Sequence, residues 1–271
     1  MKKVAVFGVQ TFLGFAFCEH LLSQGIEVEG VIVEPIEREH KARFEERLMN
    51  IGRNSLLKID NSVQIDEKLK EIDMIVYCCD DLVEENCSNA DLKNLQKATT
   101  LSKVNKIPFV LLSSHHVYGE KRELLEDETA PKATSVKGKH QKTCENHLKN
   151  EINHDSYAIF RFPTLYGPWQ PVNESIHLML MNKHIDLLNL PLSIVEDLVY
   201  IDDAVQTLWH LVNEKLNGQI LHIYDSDSID NEQEPPKSQL SNERKYKMRK
   251  KISLQEGLNR QLDHIVQFEE K

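Results

Sequence analysis

The chain has 271 residues, 40% hydrophobic and 28% charged, which is enough length and apolar content for one large core with a small lobe. Its formal charge of −10 excludes nucleic acid and anionic membrane as main partners, so a site for a phosphorylated ligand must be arranged locally. Five cysteines (Cys18, Cys78, Cys79, Cys87, Cys144) are an odd number with neither a paired framework nor metal-ligand spacing, which implies a reducing cytoplasm and no metal. The opening Met1-Lys-Lys and apolar run lack an A-x-A cleavage site, and no later run reaches the ~18 apolar residues of a membrane span.

Lys3–Phe7 is a short β-branched apolar run that breaks at Gly8, and Gly14 follows six residues later. A helix is predicted to begin near Phe12 and to end at Gly25 as a C′ glycine. Strand, glycine turn and helix in that order make a Rossmann nucleotide site, with the pyrophosphate against the helix N-terminus. Gln10, Phe12 and Leu13 belong to this cofactor turn with Gly8 and Gly14. Thr11 stands where a further glycine would allow the closest backbone approach, and its hydroxyl is available to donate to a phosphate.

Glu27–Val33 reads as the second strand, and Glu34 at its end is placed to bond the adenosine ribose hydroxyls, which favours NAD over NADP. Residues 36–50 read as a charged connection. Leu56–Asp60 is a third strand, with Ile59 and Asp60 placed to approach adenine. Asp73–Cys79 is a continuous apolar run suited to a strand covered on both faces, ending in Cys78 and Cys79 beside the cofactor. A helix follows around Asp91 to Lys103, then a buried strand from Pro108 to Ser114. Strands alternating with helices predict an α/β, doubly wound parallel sheet of about six or seven strands with a small C-terminal lobe.

Four later segments carry a resemblance. Leu112-Ser-Ser-His-His-Val-Tyr-Gly119 is similar to the S-S-x-x-V-Y-G segment of extended short-chain dehydrogenases, the NAD-dependent epimerase/dehydratase family. Phe160-Arg-Phe-Pro-Thr-Leu-Tyr-Gly-Pro-Trp-Gln-Pro171 resembles that family's R-x-x-x-x-Y-G-P segment, in its Tyr-Gly-Pro-Trp part most like the nucleotide-sugar 4-epimerases acting on uronates. Leu198–Ala204 resembles F-x-Y-V-D-D, and Leu254–Leu258 resembles L-x-E-G-L. The resemblance implies NAD as cofactor, with Ser113, Phe162 and Pro163 beside it, and a nucleotide-sugar as ligand, with His115, His116 and Thr164 toward it. It allows a homodimer. It implies a Rossmann domain over 1–165 rejoined by 196–215, and a reduced substrate lobe from 166–195 and 216–271. Within that lobe, 226–251 reads as a polar, solvated loop whose basic half, Arg244 to Lys250, is able to fold over an anion.

The family's chemistry rests on a tyrosine and a lysine four residues apart on a helix, with a serine completing the relay; Ser114 fits that serine. The tyrosine belongs between Gly119 and Tyr157, and none is there. Aligned through Gly138 and Glu145, the pair reads Lys137 and Gln141; aligned through Pro131, it reads Ser135 and Lys139. The first register keeps the glycine and the helix glutamate. The expected function is therefore an NAD-binding protein with lost or impaired hydride chemistry, acting as a sensor, regulator or partner subunit. The alternatives are an active enzyme with a substitute base, for which His115, His116 and His140 are available, and an interaction module with an empty cleft.

Overall fold

The computed structural model describes residues 1–33, 38–61, 71–79, 85–119, 132–181, 198–214, 216–225 and 243–268. Its strands are β1 (Lys3–Phe7), β2 (Glu27–Ile32), β3 (Leu57–Asn61), β4 (Met74–Cys78), β5 (Phe109–Ser114), β6 (Tyr157–Phe162), β7 (Thr164–Tyr166), β8 (Leu198–Tyr200), β9 (Gln219–Asp225) and β10 (Glu243–Met248). Its helices are α1 (Phe12–Ser23), α2 (Arg38–Ile51), α3 (Glu85–Asn105), α4 (Val136–Glu151), α5 (Ser175–Met181), α6 (Ile201–Val212) and α7 (Leu254–Phe268). Eight strands form one sheet in the order β10-β9-β6-β5-β4-β1-β2-β3, with every pairing parallel. β7 and β8 form a separate parallel pair.

The central strands are largely apolar because helices cover both faces. Val4, Val6, Val76, Val110 and Phe160 join the core on the side of α1 and α6. Their sequence neighbours Ala5, Phe7, Tyr77, Leu111 and Ile159 join the core on the side of α3 and α4. This alternation is the period of two that a pleated strand imposes.

Three expectations are corrected. The sheet has eight strands rather than six or seven. Residues 36–50, expected as a charged connection, contain most of α2; its buried and half-buried apolar positions are Phe44, Leu48 and Ile51, spaced for one helix face. Phe44 meets Phe15 of α1 edge-on at 5.5 Å, and Arg47 pairs with Glu19 at 2.6 Å. β9 and β10, expected within the lobe, extend the main sheet instead. Part of the basic run is therefore the edge strand β10, where Arg244 and Lys247 are exposed while Met248 is buried. Cations on an edge strand discourage pairing with another chain, which suits that place. Residues 226–242 of the expected loop lie outside the described residues.

The C-terminal segment is fastened by specific contacts. Buried Asp203 of α6 accepts from the backbone amides of Lys251 and Ile252, both at 3.1 Å through Oδ2. Gln261 of α7 accepts from Gly167 N at 3.0 Å and donates to the Gln170 side chain at 2.7 Å.

Candidate active site

The strand order reverses between β1 and β4, so the connections leaving their carboxyl ends diverge and open a crevice. Thr11, Phe12 and Leu13 line it after β1, Cys78 and Cys79 at β4, Ser113, Ser114 and His116 at β5, and Phe162, Pro163 and Thr164 after β6. Lys137 and Gln141 of α4 close it, together with Gln170 and Glu174.

The first turn is built for close packing. Gly8 has φ +74°, and a Cβ there would stand 2.5 Å from the Cys78 carbonyl oxygen. Thr11 caps α1: its Oγ1 accepts from Gly14 N at 3.1 Å and donates to Gly8 O at 2.8 Å. In this structure the hydroxyl expected to donate to a phosphate makes its bonds inside the turn. Gln10 was expected at the cofactor. Its side chain instead donates to Val33 O at 2.8 Å and accepts from Val33 N at 3.2 Å, tying the turn to the end of β2. Glu34, the next residue, lies outside the described residues. Ile59 and Asp60 lie on edge strand β3, where Ile59 packs over Gly30.

The β5 end supplies the polar centre. Ser114 Oγ donates to Gln141 Oε1 at 2.6 Å, and His116 Nδ1 stands 3.0 Å from the same hydroxyl. Ser113, though on the wall, donates to Glu145 Oε1 at 2.8 Å. His115, expected toward substrate, is buried and packs edge-on against Tyr118 with ring centroids 6.4 Å apart.

The helix register places Lys137 and Gln141 in the crevice. Ser135 is the N-cap of α4, accepting from Gly138 N at 3.1 Å, and Lys139 is exposed. Gly138 permits this seating, since a Cβ there would collide with the His116 carbonyl oxygen. Lys137 Nζ lies 3.5 Å from Glu174 Oε1. Nothing in the sequence marks Glu174; Gln170 sits inside the segment already singled out.

Two buried networks support the walls. Arg161 Nε and Nη2 donate to the two oxygens of Glu145 at 2.8 and 2.6 Å, with both side chains fully buried. Arg161 also donates to the Tyr118 hydroxyl, which faces His222 Nδ1 at 2.5 Å. Tyr118 is thereby committed beneath the site and supplies no phenol to the crevice. In the second network Tyr77 donates to Asp91, whose Oδ2 lies 2.5 Å from His140 Nε2. Burial disfavours charge on His140, but the Asp91 carboxylate and the Cys144 sulfur outweigh it and hold the imidazole at a pKa of about 10.

An all-parallel doubly wound sheet with a glycine turn and a polar crevice at its switch point defines a nucleotide-binding protein of the Rossmann class. The description "NAD dependent epimerase/dehydratase family" matches residues 4–225, and the chain belongs to that family. Among solved structures it resembles UDP-glucuronic acid 4-epimerase from Bacillus cereus in complex with UDP-glucuronic acid and NAD, at 18% identity and TM-score 0.74, covering 98% of this chain and 99% of that one. It also resembles dTDP-glucose 4,6-dehydratase from Bacillus anthracis in complex with NAD, at 14% identity and TM-score 0.70, covering 100% of this chain and 98% of that one. A 58-residue stretch is 34% identical to the uncharacterized protein YjaV of Bacillus subtilis, spanning 21% of this chain and 31% of that protein.

Proposed function

We propose that this protein binds NAD in the crevice and lacks the tyrosine-dependent hydride chemistry of its family, serving as a nucleotide-responsive sensor, regulator or partner subunit. The observation that carries this reading is the pair Lys137 and Gln141, which stands beside Ser114 with no phenol among the described residues of the crevice wall. The glycine turn fits a dinucleotide: Gly8 leaves no room for a side chain, and the first turn of α1 faces the crevice. When bound, NAD supplies a hydride acceptor.

Using that acceptor requires a group that takes a proton from a sugar hydroxyl near neutral pH. An ammonium at Lys137 has no lone pair to take that proton, and its Nζ lies 3.5 Å from Glu174 Oε1. Gln141 has no titratable proton, and it accepts the Ser114 hydroxyl, which it thereby holds in place. A nucleotide-sugar is the companion ligand, supported by the UDP-glucuronic acid held in the solved relative. Glu34 is assigned the ribose hydroxyls, so NAD is preferred to NADP. A cytoplasmic location accords with the buried, reduced thiols of Cys18, Cys78, Cys79 and Cys144.

One contact favours a second reading. His116 Nδ1, 3.0 Å from Ser114 Oγ, is placed to act as a substitute base in an active enzyme.

Calorimetric titration of the purified chain with NAD and NADP, followed by a turnover screen on UDP-glucose, UDP-glucuronic acid and dTDP-glucose, tests both readings. Binding of NAD without conversion of any sugar is the expected result. Conversion abolished by His116→Ala would establish the second reading, and failure to bind either dinucleotide would leave an interaction module with an empty cleft. Glu34→Ala is expected to weaken NAD binding and narrow its preference over NADP; equal affinities in the unmutated protein would refute the Glu34 assignment.

A further inference from the structure

Behind the crevice, where β4, α3 and α4 meet, three side chains of a different character come together with a histidine beside two of them. Cys79 follows β4, Asp91 lies on α3 and Cys144 on α4; one ligand atom from each lies within 4.8 Å of the other two, and all three residues are buried. His140 stands one helical turn before Cys144, on the same face of α4. Its Nε2 is 3.5 Å from Cys144 Sγ and 2.5 Å from Asp91 Oδ2. Tyr77 donates its hydroxyl to Oδ1 of the same carboxylate and, at 2.9 Å, to the Asp91 main-chain oxygen.

We propose that Cys79, Asp91, His140 and Cys144 form a binding site for a single thiophilic divalent cation of the zinc type. Thiolate, imidazole and carboxylate are all donors that zinc takes in tetrahedral sites, and the sulfurs select a borderline-soft ion over calcium or magnesium. Metal–sulfur and metal–nitrogen bonds of about 2.3 and 2.0 Å at a tetrahedral angle put sulfur and nitrogen about 3.5 Å apart. The Cys144 to His140 separation is already 3.5 Å. Ion binding exchanges the Asp91–His140 hydrogen bond for two metal bonds, which asks those atoms to part by roughly 0.8 Å. Tyr77 meanwhile orients the carboxylate from outside, as the outer partners of metal ligands do. Cys79 also forms part of the crevice wall, which gives the ion a way in. The bound ion would tie β4, α3 and α4 together beneath the crevice. This site rests on none of the contacts assigned to NAD apart from the shared wall at Cys79.

Cobalt(II) added to the reduced, metal-free full-length protein is the probe. One equivalent is expected to produce thiolate-to-cobalt charge-transfer absorption and the intense visible bands of tetrahedral cobalt, both removed by one equivalent of zinc. Zinc is expected to raise the melting temperature. Cys79→Ser, Cys144→Ser and His140→Asn should each weaken or abolish the spectrum, while Cys18→Ala, in the opposite core, should retain it. The intact protein carries the decisive measurement, so a variant that fails to fold does not blunt it. No charge-transfer absorption from the reduced intact protein overturns the proposal, as does a spectrum unchanged by both serine variants. NAD titration of the same sample is read separately, so either reading can fail alone.

Discussion

Lys137 and Gln141 both line the crevice, and in the reading proposed above a cation at Lys137 takes the place of the family's phenol and an uncharged amide at Gln141 that of its lysine. Their spacing of four on α4 keeps them on one helix face, so the double change Lys137→Tyr with Gln141→Lys restores the geometry of the missing pair. Conversion of a panel of sugar nucleotides with NAD present is expected to be undetectable before this change and at most slight after it. Robust conversion by the unmutated protein that survives Ser114→Ala would show that other residues carry the chemistry. Beneath them, Arg161 and Glu145 pose a different energetic problem. Arg161→Ala strands a buried carboxylate, which is expected to destabilise the fold by about 3–5 kcal/mol in urea unfolding. Replacing both partners with apolar residues is expected to be milder than losing Arg161 alone.

Among the elements, α7 shows how a glycine inside a helix earns its place by contact rather than by propensity. Gly257 should disfavour the helix by about 1 kcal/mol relative to alanine. A Cβ there, however, would collide with the Tyr166 hydroxyl and press on Tyr200, whose rings meet edge-on at 5.6 Å. Gly257→Ala is therefore expected to lower stability by about 1–3 kcal/mol despite the gain in propensity, measured by urea unfolding. An increase in stability would mean that the tyrosines give way easily. The same close approach explains why Leu254–Leu258 carries a recognisable pattern: the glycine lets α7 press on β7 and β8. α2 and β10 carry no such pattern, since each buries only a few residues and turns charged side chains to solvent.

For the whole molecule, a buried thiol in one of the two cores ties stability to alkali. Cys18 lies in the core between α1 and the sheet, where burial and then the neighbouring Glu19 push its thiol up to about 12, against a smaller lowering by Arg47. The unfolded chain releases this proton near pH 9.0 while the folded chain keeps it. Stability is thus fully present below pH 9.0 and falls as pH rises toward 12. Melting temperatures taken from pH 7 to about 11 are expected to decline, and less steeply in Cys18→Ala. Identical slopes in the two proteins would remove Cys18 from the account.

The local pattern of the chain by itself determined the Rossmann strand–turn–helix at Gly8, the parallel α/β class, most of the strands and the absence of a tyrosine between Gly119 and Tyr157. These are legible because continuous apolar runs, glycine breaks and fixed motif spacings report burial and turning within a few residues of themselves. Tertiary structure alone decided that Lys137 and Gln141, rather than Ser135 and Lys139, enter the crevice, because that choice depends on Gly138 seating against His116. It also decided that Thr11 and Gln10 satisfy backbone groups, that His115 is buried, and that β9 and β10 belong to the main sheet. Cys79, Asp91, His140 and Cys144 show no ligand spacing along the chain, since they come from three regions that only the packing of α3 and α4 on one face of the sheet brings within reach.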